Sequence, residues 1–219
     1  MIEERKLWIE KYEKLPTGNI ADAMDALHMK RQVIFGLEPL ARESKTTAGF
    51  AFTVQQRRRA NPWNGKNLAK QGELIDSQTQ EGDIVVIDMD RIKNVCTGGG
   101  ILALCAKLRG VRGELTNGCL RDIEEIEAMH FPVWFAGGCP IKSSLDVETV
   151  SCNKPLLFNG VEIVPGDLVV MDATGVVIVP QDSIPSVWER AIAISQREKK
   201  MLELLQSGKS LAEARLVRF

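Results

Sequence analysis

The residues with the most chemistry in this chain fall in one stretch, 113–125, which reads GELTNGCLRDIEE. Asn117-Gly118 marks a tight turn, because both residues tolerate positive φ. The turn hands the chain to a helix whose start carries Asp122, Glu124 and Glu125, acids that the positive end of a helix dipole favours. Arg121 is a cation where an anion is expected. In one reading Arg121 pairs with a neighbouring carboxylate and Asp122 caps the helix. In the other, the planar fork of Arg121 grips a substrate carboxylate and Asp122 offers hard oxygen to a divalent metal. On that second reading Arg121 and Asp122 are the candidate catalytic residues.

Such a pair needs strands and helices that bring it to a common edge. Gly82-Asp83 turns into a buried strand, IVVID, that ends at Asp88. Thr97, Gly98, Gly99 and Gly100 then open a helix with Ile101, Leu104, Cys105 and Leu108 on its apolar face, and Gly110 ends it. The pattern continues as a strand over 111–116, a helix from the Arg121-Asp122 turn to His130, and a strand over 132–136. Strands alternating with helices imply right-handed crossovers and parallel pairing, with the loops at the carboxyl ends side by side. The glycine loop 98–100 is therefore expected to face Arg121, and the free amides of two helix starts to form a small anion pocket. Lys142, in GGCPIKSS after the next strand, reaches the rest of a substrate or else lies in a surface loop; Ser143 has the same two readings.

The flanks supply support. Residues 1–30 read as two helices, the first with Leu7, Trp8 and Tyr12 as a docking stripe. The second starts at Pro16, Thr17 and Asn19 and turns Ile20, Ala23, Met24 and Leu27 inward. A strand over 46–55 leads into Arg57, Arg58 and Arg59 and a turn-rich loop bearing Trp63. That run is either a solvated loop or the place to seek an anionic macromolecule or a phosphate. A short hairpin strand follows at 160–164, and LVVMDATGVVIVP reads as two strands with Asp172 structural in their turn. Residues 183–208 form a long amphipathic helix that Gly208 stops.

With 28 basic against 29 acidic residues and a net charge of −1, no global electrostatic case exists for nucleic acid or an anionic membrane. No apolar run is long enough to cross a bilayer, and the N-terminus lacks a signal-peptide pattern; a cytoplasmic protein is expected. Five cysteines without CxxC spacing point to free thiols. Two histidines, His28 and His130, are too few for a histidine-rich zinc site.

The spacing Gly100, twenty residues, Arg121-Asp122, two residues, Glu125 resembles the signature of the RraA-like family. That family includes regulators of ribonuclease E activity, Mg-dependent oxaloacetate decarboxylases and 4-hydroxy-4-methyl-2-oxoglutarate aldolases. The likeness continues through TGNIADAMDAL, AGFAFTVQ, EGDIVVID and PGDLVVMDATGVVIVP. It implies one α/β domain over 1–219 with a swivelling β/β/α core, assembled as a trimer or a dimer of trimers. It also implies Mg²⁺, or another divalent cation such as Mn²⁺, held by Asp122 largely through waters. Arg121 would bind the carboxylate of a small 2-oxo acid, and the backbone of Gly98, Gly99, Gly100 and Ile101 would help. Glu198 of the C-terminal helix is the match for a glutamate that reaches a neighbouring subunit and completes the metal's outer shell. The expected activity is lyase chemistry through a pyruvate enolate, either oxaloacetate decarboxylation or aldol cleavage; the alternative is a non-catalytic protein-binding regulator of ribonuclease activity. Dedicated aldolases carry aspartate at the position of Gly100, so glycine there resembles the regulator and decarboxylase branch.

Overall fold

The computed structural model describes residues 2–41 and 45–217. In chain order the helices are α1 (Ile2–Tyr12), α2 (Thr17–Ala26), α3 (Gln71–Gln78), α4 (Gly100–Leu108), α5 (Ile123–Ala128), α6 (Ile184–Gln206) and α7 (Leu211–Ala214). The strands are β1 (Val33–Ile34), β2 (Glu38–Pro39), β3 (Thr47–Arg58), β4 (Asp83–Asp88), β5 (Cys96–Gly98), β6 (Gly113–Thr116) and β7 (Cys119–Leu120). After them come β8 (Val133–Phe135), β9 (Val147–Cys152), β10 (Leu156–Phe158), β11 (Val161–Ile163), β12 (Leu168–Asp172) and β13 (Gly175–Val179).

One mixed sheet dominates, in the order β1-β13-β12-β3-β4-β6-β8-β2, with β9 also paired to β3. The expected parallel unit is present: β3, β4, β6 and β8 run parallel. β4 is buried at all six positions, the mark of a strand covered on both faces. The helix-side face divides into two cores. Phe52, Val54, Val85, Ile87 and Val133 pack with Ala103, Ala106 and Ile126 of α4 and α5. Phe50, Leu168, Val170 and Val177 pack with residues of α1, α2 and α6. Ile84, Val86, Leu115, Trp134 and Val169 face the other way, onto the β10–β11 hairpin. The layers are thus hairpin, sheet and helices, the expected β/β/α arrangement.

Asp172 is structural, as its place between two strands predicts. Its carboxylate accepts from the backbone N–H and hydroxyl of Thr17 (2.7 and 2.8 Å), fastening the start of α2 to the β12–β13 turn. The strand expected over 46–55 runs on to Arg58, and α3 was not anticipated, because Ile75 is its sole buried hydrophobic residue and no helical stripe shows. No helix among the described residues is long and apolar enough to cross a membrane, and all five cysteines are free.

Candidate active site

The segments that follow β4, β6 and β8 meet at the carboxyl end of the parallel strands. β5 and β7 pair in parallel, Cys96 beside Cys119, and the 137–142 segment bridges both, Leu120 to Gly138 and Cys96 to Lys142. These short pairings draw the glycine loop, the Arg121 turn and the Lys142 segment together. They enclose an open cavity of about 250 Å³ lined by Gly98, Gly99, Ile101, Arg121, Asp122 and Lys142, among others. Gly100 adjoins it as the first residue of α4.

The turn is not built as the dipeptide Asn117-Gly118 suggests. Positive φ falls on Asp122, at 55°, and on neither Asn117 nor Gly118. Asn117 instead holds the loop after β4: its Oδ1 accepts from Met89 N–H (2.7 Å) and its amide donates to Asp88 (2.6 Å). Gly118 is required by space, since a Cβ there would press on Met89 and Thr97. The left-handed kink at Asp122 changes the role of its carboxylate. It makes no capping bond to its own helix. Its Oδ2 accepts from Gly100 N–H at 3.2 Å, at the start of α4, and lies 3.3 Å from Arg121 Nε. The backbone N–H of Arg121 in turn donates to Gly98 O at 3.1 Å. The side chains of Arg121 and Asp122 are 42% and 35% exposed, so the pair is fixed at one end and open to a ligand at the other.

Glycine in the loop lets the neighbouring side chains come close. A Cβ on Gly99 would collide with the Asp122 carboxylate and the Arg121 side chain, and one on Gly100 with the Glu125 carboxylate. Glu125 thus fills the space beside Gly100 that a side chain at that position would take. The amides at the start of α4 precede the first helical acceptor, Gly99 O, which Ala103 N–H reaches at 3.1 Å. They are donors without an intrahelical partner at the positive end of the helix dipole.

Asp122 offers a hard carboxylate oxygen to the cavity and the Glu125 carboxylate lies beside Gly100, while no set of three metal-ligating side chains occurs among the described residues. Two carboxylates with room for water suit Mg²⁺, which keeps much of its hydration shell, so the donors fit that ion. Glu198 is not brought to Asp122 within this chain. It lies on α6, and its carboxylate accepts from Asn19 Nδ2 at 2.5 Å.

Several cavity residues left no mark in the sequence. Gln71, on the unanticipated α3, is buried and donates to Thr97 O at 2.5 Å; Gln56 donates to Gln71 at 2.6 Å. Cys96 also lines the cavity, its thiol pushed up chiefly by burial, with Arg121 pulling the other way. The basic run is engaged within the chain: Arg57 pairs with Glu148 (2.9 Å), Arg58 with Asp146 (3.6 Å), and Arg59 stacks over Trp63.

A family model described as Aldolase/RraA, under the heading RraA-like, matches residues 17–178. A protein of Halalkalibacterium halodurans provisionally named 4-hydroxy-4-methyl-2-oxoglutarate aldolase is 33% identical over 187 residues, 84% of this chain and 81% of its own. The crystal structure of an uncharacterised protein from Pseudomonas syringae pv. tomato superposes with a TM-score of 0.84 at 27% identity, over 96% of this chain and 98% of that one. A Streptomyces coelicolor structure, described as an unusual member of the RNase ES inhibitor RraA protein family, gives 0.78 at 23% identity, covering 87% and 94% of the two chains. At that identity the likeness concerns the fold.

Proposed function

Since the chain belongs to the RraA-like family, we propose that its cavity is the active site of a divalent-metal-dependent lyase that cleaves a small 2-oxo acid by way of a pyruvate enolate. One observation carries this reading. Arg121 and Asp122 line one cavity with Gly99, Ile101 and Leu102 at the start of α4, and Gly100 N–H is already bonded to Asp122.

In this reading the guanidinium of Arg121 takes the 1-carboxylate of the substrate through two parallel hydrogen bonds. Unpaired amides at the start of α4 hold the same end of the molecule. Asp122, with Glu125 nearby, would hold Mg²⁺, and Glu198 of a neighbouring subunit in a trimer or a dimer of trimers would add its carboxylate to that site. When bound, the cation supplies Lewis acidity to the 2-oxo group. Oxaloacetate then loses its 4-carboxyl group as CO₂; the electrons of the broken C3–C4 bond pass into the enolate, and a proton added at C3 gives pyruvate. Lys142, at the cavity rim, meets the second carboxylate of such a diacid.

Aldol cleavage asks for one more act, removal of the 4-hydroxyl proton. Gly100 supplies no side chain for it, but the Glu125 carboxylate occupies the adjacent space. The alternative, a non-catalytic protein-binding regulator, would draw on surface patches such as Arg57–Arg59, of which Arg57 and Arg58 remain exposed beside their partners. The test is pyruvate release from oxaloacetate, with Mg²⁺ and with EDTA, for the native protein and Asp122→Ala. Metal-dependent turnover that the variant lacks is expected. Turnover no faster than Mg²⁺ alone would reject the lyase.

A further inference from the structure

Behind the cavity wall lies a carboxyl group that the chemistry above leaves unused. Glu114 is the second residue of β6, with Val85 and Val133 as its register partners. Residues paired in this way share a sheet face, here the face packed against Ala103, Ala106 and Ile126. Glu114 is only 5% exposed, and its Oε1 lies 3.4 Å from the hydroxyl of Thr97. That hydroxyl also lies 3.2 Å from Cys119 O. Burial pushes the Glu114 carboxyl up to about 7, with the Thr97 hydrogen bond opposing it.

Among the described residues, the elements packed against Glu114 bring no cation to balance a charge there. β4 carries Asp83 and Asp88, held by Arg5 and Asn117 respectively. Lys107 of α4 donates to Met129 O, and Cys105 faces Asp76. Cys96 on β5 and Cys119 on β7 are thiols that burial keeps neutral. The acids of α5, Glu124, Glu125 and Glu127, are exposed, and β8 holds no titratable residue.

A threonine hydroxyl has a single proton to donate. With Glu114 protonated, the carboxyl donates to Thr97 Oγ1 and Thr97 donates to Cys119 O, so each oxygen is satisfied. With Glu114 ionised, the carboxylate can only accept. It then accepts the hydrogen bond of the Thr97 hydroxyl, and Cys119 O loses that donor. Thr97 directly precedes the glycine loop, and Cys119 stands two residues before Arg121.

We propose that Glu114 is a positioning residue of the cavity: in its acid form it ties, through the Thr97 hydroxyl, the strand that leads into Arg121 to the strand that opens the glycine loop. Ionisation loosens that tie and weakens the grip on a carboxylate ligand. The proposal rests on the reading of Arg121 as a carboxylate binder. It makes the site strongest on the acid side of neutrality, although Glu114 touches neither substrate nor metal.

The probe is oxalate, a planar mimic of the enolate, bound to the full-length protein with Mg²⁺ present and followed by calorimetry and by inhibition of pyruvate release. Native affinity and kcat/KM are expected to fall about tenfold from about pH 6 to about pH 8. Glu114→Gln should keep the acid-side values across that range, because its amide donates to Thr97 at every pH. Thr97→Ser should retain the native profile, and Thr97→Val should be weak and flat. An unchanged profile in Glu114→Gln would overturn the proposal, and so would a flat profile in the native protein. Infrared difference spectra give a readout independent of turnover: a protonated-carboxyl band should titrate away near neutral pH in the native protein and be missing from Glu114→Gln. Its absence from the native protein at pH 6 would also overturn the proposal. If the band and the pH-dependent oxalate binding are present but no 2-oxo acid is turned over, the lyase reading fails and this one stands.

Discussion

The two ends of the parallel strands both carry arginines beside carboxylates, and they differ in what those arginines have left to offer. At the amino ends, under α1, a cavity of about 460 Å³ is the larger of the two, lined by Arg5, Glu13, Gly82 and Arg112 among others. There Arg5 pairs with buried Asp83 at 2.5 Å and stacks on Phe50, while Arg112 pairs with Glu13. These cations belong to the framework. At the carboxyl ends the cavity is smaller, but Arg121 is held by its Nε and its backbone N–H, leaving much of its fork exposed. Volume alone therefore does not favour the larger cavity. The smaller one sets amides without an intrahelical partner beside an arginine with an open side, the features of an anion site.

The sharpest way to break the contrast is to truncate one arginine from each end. Arg121→Ala should lower kcat/KM for oxaloacetate by roughly 100-fold or more, since it removes a charge-assisted bidentate contact, with little loss of thermal stability. Arg5→Ala should do the reverse. It strands a buried Asp83, destabilising the fold by about 3 kcal/mol, and should leave kcat/KM nearly unchanged. If Arg5→Ala impaired turnover as severely as Arg121→Ala, the amino-end cavity would become the better candidate. Denaturant titration and steady-state kinetics on the same preparations separate the two.

A second pair of variants probes the glycine loop. Gly100→Asp alone should lower activity, because it sets a second carboxylate against that of Glu125, which must swing aside. Gly100→Asp combined with Glu125→Ala should recover part of it, measured as pyruvate release from oxaloacetate and from a 4-hydroxy-2-oxo acid. Equal activity of the single and double variants would mean that Glu125 does not fill that space.

The buried acid gives a stability slope. Its folded-state pKa, near 7, lies above its ordinary 4.5, so the folded chain binds the proton more tightly than the unfolded chain. The associated stability is complete below about pH 4.5 and is lost as pH rises through about 7, for a total of about 3 kcal/mol. Glu114→Gln should flatten that slope in urea titrations at a series of pH values. The smallest effect belongs to the surface: Arg57→Ala, which removes an exposed pair with Glu148, should change stability by less than about 1 kcal/mol and leave turnover intact.

The sequence by itself determined the elements with strong periodicity and the residues at their ends. β4 and the β12–β13 hairpin are nearly continuous apolar runs, α6 shows a helical stripe, and the alternation of strands with helices fixed parallel pairing. That was enough to bring Gly98–Gly100, Arg121, Asp122 and Lys142 to one cavity. Local pattern had nothing to say about α3, which buries one hydrophobic residue and is held by its packing, so Gln71 went unseen. The positive φ assigned to Asn117-Gly118 landed on Asp122, because the turn is shaped by hydrogen bonds between Asn117 and Met89 and Asp88, at the end of β4. Glu114 looks like any strand residue until the sheet places it between two valines and beneath Thr97. Periodicity records which side of an element is apolar. Which groups are left without water or a partner depends on elements far apart in the chain, and only the tertiary structure decides that.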